Sequence, residues 1–183
     1  MSGMGRSRVL AVRAHDPVMG VIAPIGLAAA SGTALVVDVG GRPRRQGGRS
    51  LADVISDGPR LDELSPGRSG VARIAAGPVG TSAIAEAVGQ LASRWPAVVV
   101  SIQDDDWPGP TVPVHVLYQG LLETWERGAS VWQPISVGVR PPGPGPLLPA
   151  IRPRLVRQLL MGRMPRPNRW VRAWRQVWEM SWA

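Results

Sequence analysis

Trp95-Pro-Ala-Val-Val-Val-Ser-Ile102 is apolar at nearly every position from Ala97 onward. A strand with one wet face alternates apolar and polar residues, whereas a run apolar throughout is expected when both faces are covered. The segment just before it, residues 81–94, carries Ile84, Val88 and Leu91 at the i, i+4, i+7 spacing of one helical face. The same alternation continues toward the N-terminus. Val71–Ala75 reads as a strand, and Ser50-Leu-Ala-Asp53 has capping-box spacing at the head of a short helix. Residues 34–39 form a buried-strand run ending in Gly40 and Gly41. Residues 21–30 read as a helix, and residues 8–12 as a first strand followed by a loop through Asp16 and Pro17. Strands and helices of these lengths predict an α/β fold with a parallel sheet flanked by helices.

On the C-terminal side, Val112, Val114 and Val116 alternate as in a strand, residues 121–127 look helical, and residues 131–139 read as a last strand. Pro141-Pro-Gly-Pro-Gly-Pro146 reads as a stiff linker. Beyond it the pattern predicts two helical segments, 152–163 and 168–182. The expected organisation is an α/β domain over residues 1–140, a linker over 141–150 and a helical extension over 151–183. Residues 18–37 carry no charge and are long enough to span a membrane, but Pro24, Gly26 and Ser31-Gly32-Thr33 interrupt them. Helix, turn and core strand is the better account.

Composition excludes several chemistries. The 183 residues contain no Cys, which removes disulfides, thiolate nucleophiles and Cys-type zinc sites. Every one of the 21 basic residues is arginine, so no Schiff-base or phosphate-binding lysine exists. A metal site joining His15 and His115 to Asp104, Asp105 and Asp106 is conceivable, yet two structural histidines and a solvated acidic loop account for them better. Arg42, Arg44, Arg45 and Arg49 could grip an anion, although a solvated loop is the commoner outcome for such a run. Residues 141–183 hold eight arginines and one acid, Glu179, a net of +7 out of +8 for the chain. Charge so concentrated points to an anionic partner.

Val9-Leu-Ala-Val12, Ala34-Leu-Val-Val-Asp38, Ser50-Leu-Ala-Asp-Val-Ile55, Val71-Ala-Arg-Ile-Ala-Ala-Gly-Pro78 and Trp95-Pro-Ala-Val-Val-Val-Ser101 follow one another at spacings that resemble the ParA/MinD family of P-loop ATPases, including its CpaE-type members. The resemblance covers about half of the chain and implies a P-loop-like α/β fold. The departures from the family pattern are informative. Its glycine-rich loop is replaced by Ala14-His-Asp-Pro-Val-Met-Gly-Val-Ile22, where only Gly20 remains and Asp16 sits where phosphates need cations. A phosphate loop needs aimed backbone amides, a lysine and a hydroxyl on Mg²⁺. Ser101 stands where the family carries its magnesium-site Asp, and Asp38 alone remains of the acidic set. The resemblance thus implies a pseudo-ATPase with no catalytic residue, cofactor or metal.

The C-terminal segment carries the most specific pattern. Trp170, Trp174, Trp178 and Trp182 step by four, forming a slanted stripe on a helix, with Arg169, Arg172 and Arg175 opposite and Arg166 just before. Three readings follow: a face docked on the chain's own domain, a membrane-surface helix, or a partner-binding helix. Trp170, Trp174, Trp178, Trp182, Arg166, Arg169, Arg172 and Arg175 are therefore the candidate membrane- or partner-binding residues. The expected function is a non-catalytic scaffold or localising protein of an envelope-associated assembly, of the pilus or secretion type. It would be cytoplasmic or peripheral at the inner face of the membrane, alone or as a homo- or heterodimer. The alternative is a nucleic-acid-binding partition or regulatory protein that uses the same arginines on phosphate.

Overall fold

A computed structural model describes residues 8–40, 48–60, 70–103, 106–118, 128–135 and 138–182. Its centre is a sheet of six strands: β1 (Arg8–Ala14), β2 (Ala34–Asp38), β3 (Val71–Ala75), β4 (Ala97–Ile102), β5 (Thr111–Leu117) and β6 (Val131–Pro134). Their order is β3-β2-β4-β1-β5-β6, and every neighbouring pair is parallel. Strand β2 thus lies between β3 and β4, with Val36 opposite Arg73 on one side and Val99 on the other. The strand expected over 131–139 is shorter than predicted, and the helix expected over 121–127 lies outside the described residues.

Side chains alternate between two cores. On one face Leu10, Val12, Val36, Val99, Val112, Val114 and Val116 pack against helix α1 (Met19–Ser31). On the other, Ala11, Leu35, Val37, Val98 and Val100 pack against α2 (Leu51–Asp57) and α3 (Thr81–Ala92). Both layers explain why β4 is apolar at every position but Ser101: all six of its residues are buried. Ser50 and Asp53 form the capping box the spacing predicts, each side chain accepting from the other's backbone amide.

The uncharged stretch 18–37 is not one helix. It divides into α1 and β2 at Gly32, whose φ of 87° ends the helix in a conformation that glycine adopts without steric cost. Among the described residues no helix is long and apolar enough to cross a membrane.

The Pro/Gly segment is packed along the open edge of β6. Ser130 and Trp132 donate backbone hydrogen bonds to Pro144 and Pro146, and Leu148 donates back to Trp132. Gly145 lies so close to Ser130, at φ 126°, that a Cβ would collide with the Ser130 carbonyl. The strap thus satisfies groups that an edge strand would leave open.

Three further helices complete the α1 face: α4 (Pro153–Leu160), α5 (Arg169–Ala173) and α6 (Arg175–Glu179). Helix α4 ends three residues earlier than predicted, in a Schellman turn. Gly162 at φ 72° donates to Leu159, and Arg163 donates to Gln158. The helix expected over 168–182 is two short pieces joined at Trp174, where three-residue bonds from Trp174 to Val171 and from Val177 to Trp174 tighten the turn.

Candidate functional site

In parallel sheets, ligands bind beyond the carboxyl ends of the strands, where successive connections leave for opposite faces. Here β1 leads to α1 on one face and β2 leads to α2 on the other, with β4 between them. The divergence opens a crevice of about 270 Å³ lined by His15, Gly20, Asp38, Gly40, Ser101 and Gln103, among others.

Asp16 lies beside this crevice, between the lining residues His15 and Pro17. The Asp16 Oδ1 accepts from the amides of Val18 and Met19 at 2.9 and 2.8 Å, and its Oδ2 accepts from the Tyr118 hydroxyl at 3.1 Å. A helix N-terminus offers unpaired amides and a positive dipole end, which together attract an anion. At α1 that anion is a carboxylate of the chain itself. Tyr118, the only tyrosine, was invisible as a partner in the sequence because 102 positions separate it from Asp16.

Ser101 is also engaged. Pro24 lies inside α1 and has no amide to offer the carbonyl four residues back, that of Gly20. The Ser101 hydroxyl donates to this carbonyl at 3.2 Å. Asp38 lies 3.9 Å from the Arg73 guanidinium of the adjacent strand, a cross-strand ion pair at the strand end. Gln103 donates to the Gly40 carbonyl at 3.4 Å.

The remaining candidates are dispersed. His115 is buried and stacked on Trp132, with ring centres 5.2 Å apart. His15 lines the crevice, and among the described residues no three His, Asp or Glu side chains gather as a metal site. Arg49 ties down the end of α2, donating to the carbonyls of Asp53 and Gly58. Arg42, Arg44, Arg45, Asp104 and Asp105 lie outside the described residues. At Asp53 the hydrogen bonds from Ser50 hold the carboxyl below its ordinary range, aided by the nearby Arg49 charge.

The tryptophan stripe faces inward. Trp170, Trp174 and Trp178 are buried in the same core as α1, and Trp182 packs partly against it. Trp170 Nε1 donates to Gln133 Oε1 at 2.7 Å and Trp178 Nε1 donates to the Leu27 carbonyl at 2.9 Å. Trp182 Nε1 donates to the Val177 carbonyl at 2.8 Å. Of the three readings of the stripe, the structure realises docking on the chain's own domain. A surface of indoles and arginines acting together is absent here, because the core has taken the indole half. The arginine half stays outside: Arg166, Arg169, Arg172 and Arg175 are exposed, as are Arg152, Arg154, Arg157 and Arg163. Arg152 and Arg154, which in the sequence are two of the eight arginines that point to an anionic partner, line a second and larger cleft between α4 and the β6 strap. Their position depends on strap packing that no local pattern announces.

Comparison of the chain with models of known protein families, with curated proteins and with solved structures found no match in any of the three.

Proposed function

We propose that the chain is a degenerate, non-catalytic protein on the ParA/MinD plan, a pseudo-ATPase that scaffolds or localises an envelope-associated assembly of the pilus or secretion type. The observation that carries this reading is the Asp16 carboxylate seated on the first amides of α1. A nucleotide phosphate placed there would meet a fixed negative charge instead of free amides and a lysine. Ser101, at the position of the magnesium-site acid, is turned to a structural task by Pro24.

Attachment then falls to the arginine surface rather than to the indoles. All eight arginines of residues 141–183 are exposed, which suits recognition of an anionic partner. Isothermal calorimetry with ATP and Mg²⁺ tests the first half of the reading, and no heat of binding is expected. Micromolar affinity, or turnover above a buffer control, would overturn it. Co-sedimentation tests the second half. Tight DNA binding lost on changing Arg166, Arg169, Arg172 and Arg175 to Gln would favour the nucleic-acid alternative.

A further inference from the structure

A cleft of about 780 Å³ runs between the β6 strap, α4 and the start of α5, far larger than the crevice at the strand ends. Its size lies within the roughly 300–1,000 Å³ typical of sites that bury a small ligand or a short chain segment. The walls are apolar: Leu148 and Trp170 are buried into them, while Leu147 stands half-exposed at the lining. Arg152, Arg154 and Arg169 line the same cleft, and no acidic residue does. All three guanidiniums are exposed and none has an ion pair among the described residues.

The floor is held in place before anything binds. Gln133 is buried at 1% exposure, donates to the carbonyls of Pro134 and Pro149, and accepts from the Trp170 indole. These bonds join β6, the strap and α5 into one unit. Preformed walls lower the ordering cost that a ligand must overcome. Pro134 and Pro149 offer no amide to a passing backbone, and the three arginines supply donors in the same lining.

We propose that this cleft binds an acidic, leucine-rich segment of a partner protein, with carboxylates on Arg152, Arg154 and Arg169 and apolar side chains on Leu147 and Leu155, the leucines of the lining that reach its surface. Charge complementarity selects the acids, since arginine presents a planar fork that matches a carboxylate. The concave shape selects a chain segment over a lipid surface, because a bilayer is a broad apolar plane and does not enter a cleft. A nucleic-acid strand would need exposed aromatic faces for its bases, and Trp170 is only 3% exposed. The inference deepens the scaffold reading by giving the partner's chemistry.

The test uses the full chain and fluorescein-labelled 12-residue peptides: alternating Leu and Glu, alternating Leu and Lys, and alternating Ser and Glu. Anisotropy titration should show the Leu/Glu peptide binding at least ~10-fold tighter than either control, as expected when both apolar and charge terms contribute. Changing Arg152, Arg154 and Arg169 together to Glu should abolish that preference. The same change at Arg8, Arg60 and Arg94, equal in charge but outside the cleft and outside residues 141–183, should leave it within about 2-fold at 0.15 M salt. Melting curves confirm that both variants fold, and Arg→Gln versions replace any that does not. Equal loss in the two variants would show that net charge alone binds the peptide, and would overturn the proposal. So would a Ser/Glu peptide that binds as well as Leu/Glu, or capture of anionic phosphatidylglycerol vesicles without peptide binding. Nucleotide is absent throughout, so ATP binding in the calorimetric test would defeat the pseudo-ATPase reading and leave this result standing.

Discussion

Ser101 on β4 and Gly20 on α1 are joined by a hydrogen bond of 3.2 Å, and Pro24 is the reason it exists. The proline removes the amide that would have satisfied the Gly20 carbonyl, and the serine hydroxyl supplies a donor from the sheet. Ser101→Ala should therefore cost about 1 kcal/mol by leaving a partly buried carbonyl unsatisfied. The same change made in a Pro24→Ala background, where the amide is restored, should cost close to nothing. Denaturant melts of the four proteins in a double-mutant cycle measure this coupling. Additive effects would show that the two residues do not act on one carbonyl.

Asp16→Ala removes the cap from α1. Loss of an N-terminal carboxylate cap typically costs about 0.5–2 kcal/mol. Hydrogen exchange at Met19 should accelerate accordingly, while the amides of β4 should exchange as before. Unchanged protection at Met19 would mean that the carboxylate does not hold the helix end.

Gly26 lies beneath the indoles of Trp170 and Trp174, where an added Cβ would stand 2.5 Å from the first and 2.6 Å from the second. Gly26→Ala should destabilise the domain by about 1–3 kcal/mol through overpacking, despite alanine's higher helix propensity. A thermal melt that rises instead would place the C-terminal helices elsewhere.

Trp174→Ala empties a fully buried site and should cost about 3–5 kcal/mol. At temperatures where the variant remains folded, partner binding through the arginines should persist. A variant that keeps the parent's melting temperature but loses its partner would restore the stripe as an interface.

Asp53 supplies a pH dependence with a definite sign. Its carboxyl titrates lower in the folded chain than in the unfolded one, chiefly through its hydrogen bond with the Ser50 amide. The contribution is complete above the unfolded carboxylate range, near pH 4, and is lost as pH falls through the lower folded value. Protection of the α2 amides, taken relative to their intrinsic exchange rates, should therefore fall below that pH in the parent chain and stay level in Asp53→Asn.

The two-faced burial of β2 and β4 was legible because both carry local apolar runs, and α3 was legible because its apolar residues repeat at helical spacing. The capping box at Ser50 and Asp53 was legible for the same reason: both groups lie within one helical turn. Asp16 stood out as an acid between the first strand and α1, but its cap on α1 and its bond from Tyr118 needed the fold. Tertiary packing alone decided which way the tryptophan stripe faces. An amphipathic helix has the same sequence whether its apolar side meets a membrane, a partner or its own domain. Here Gly26 leaves α1 open to the indoles, and Gln133 and the Leu27 carbonyl receive two of their N–H groups. The strap was likewise read as a linker, because proline and glycine report local stiffness and freedom but not what lies alongside. Its course along β6 was decided by that strand's open edge, whose unpaired backbone groups gain hydrogen bonds from whichever segment reaches them.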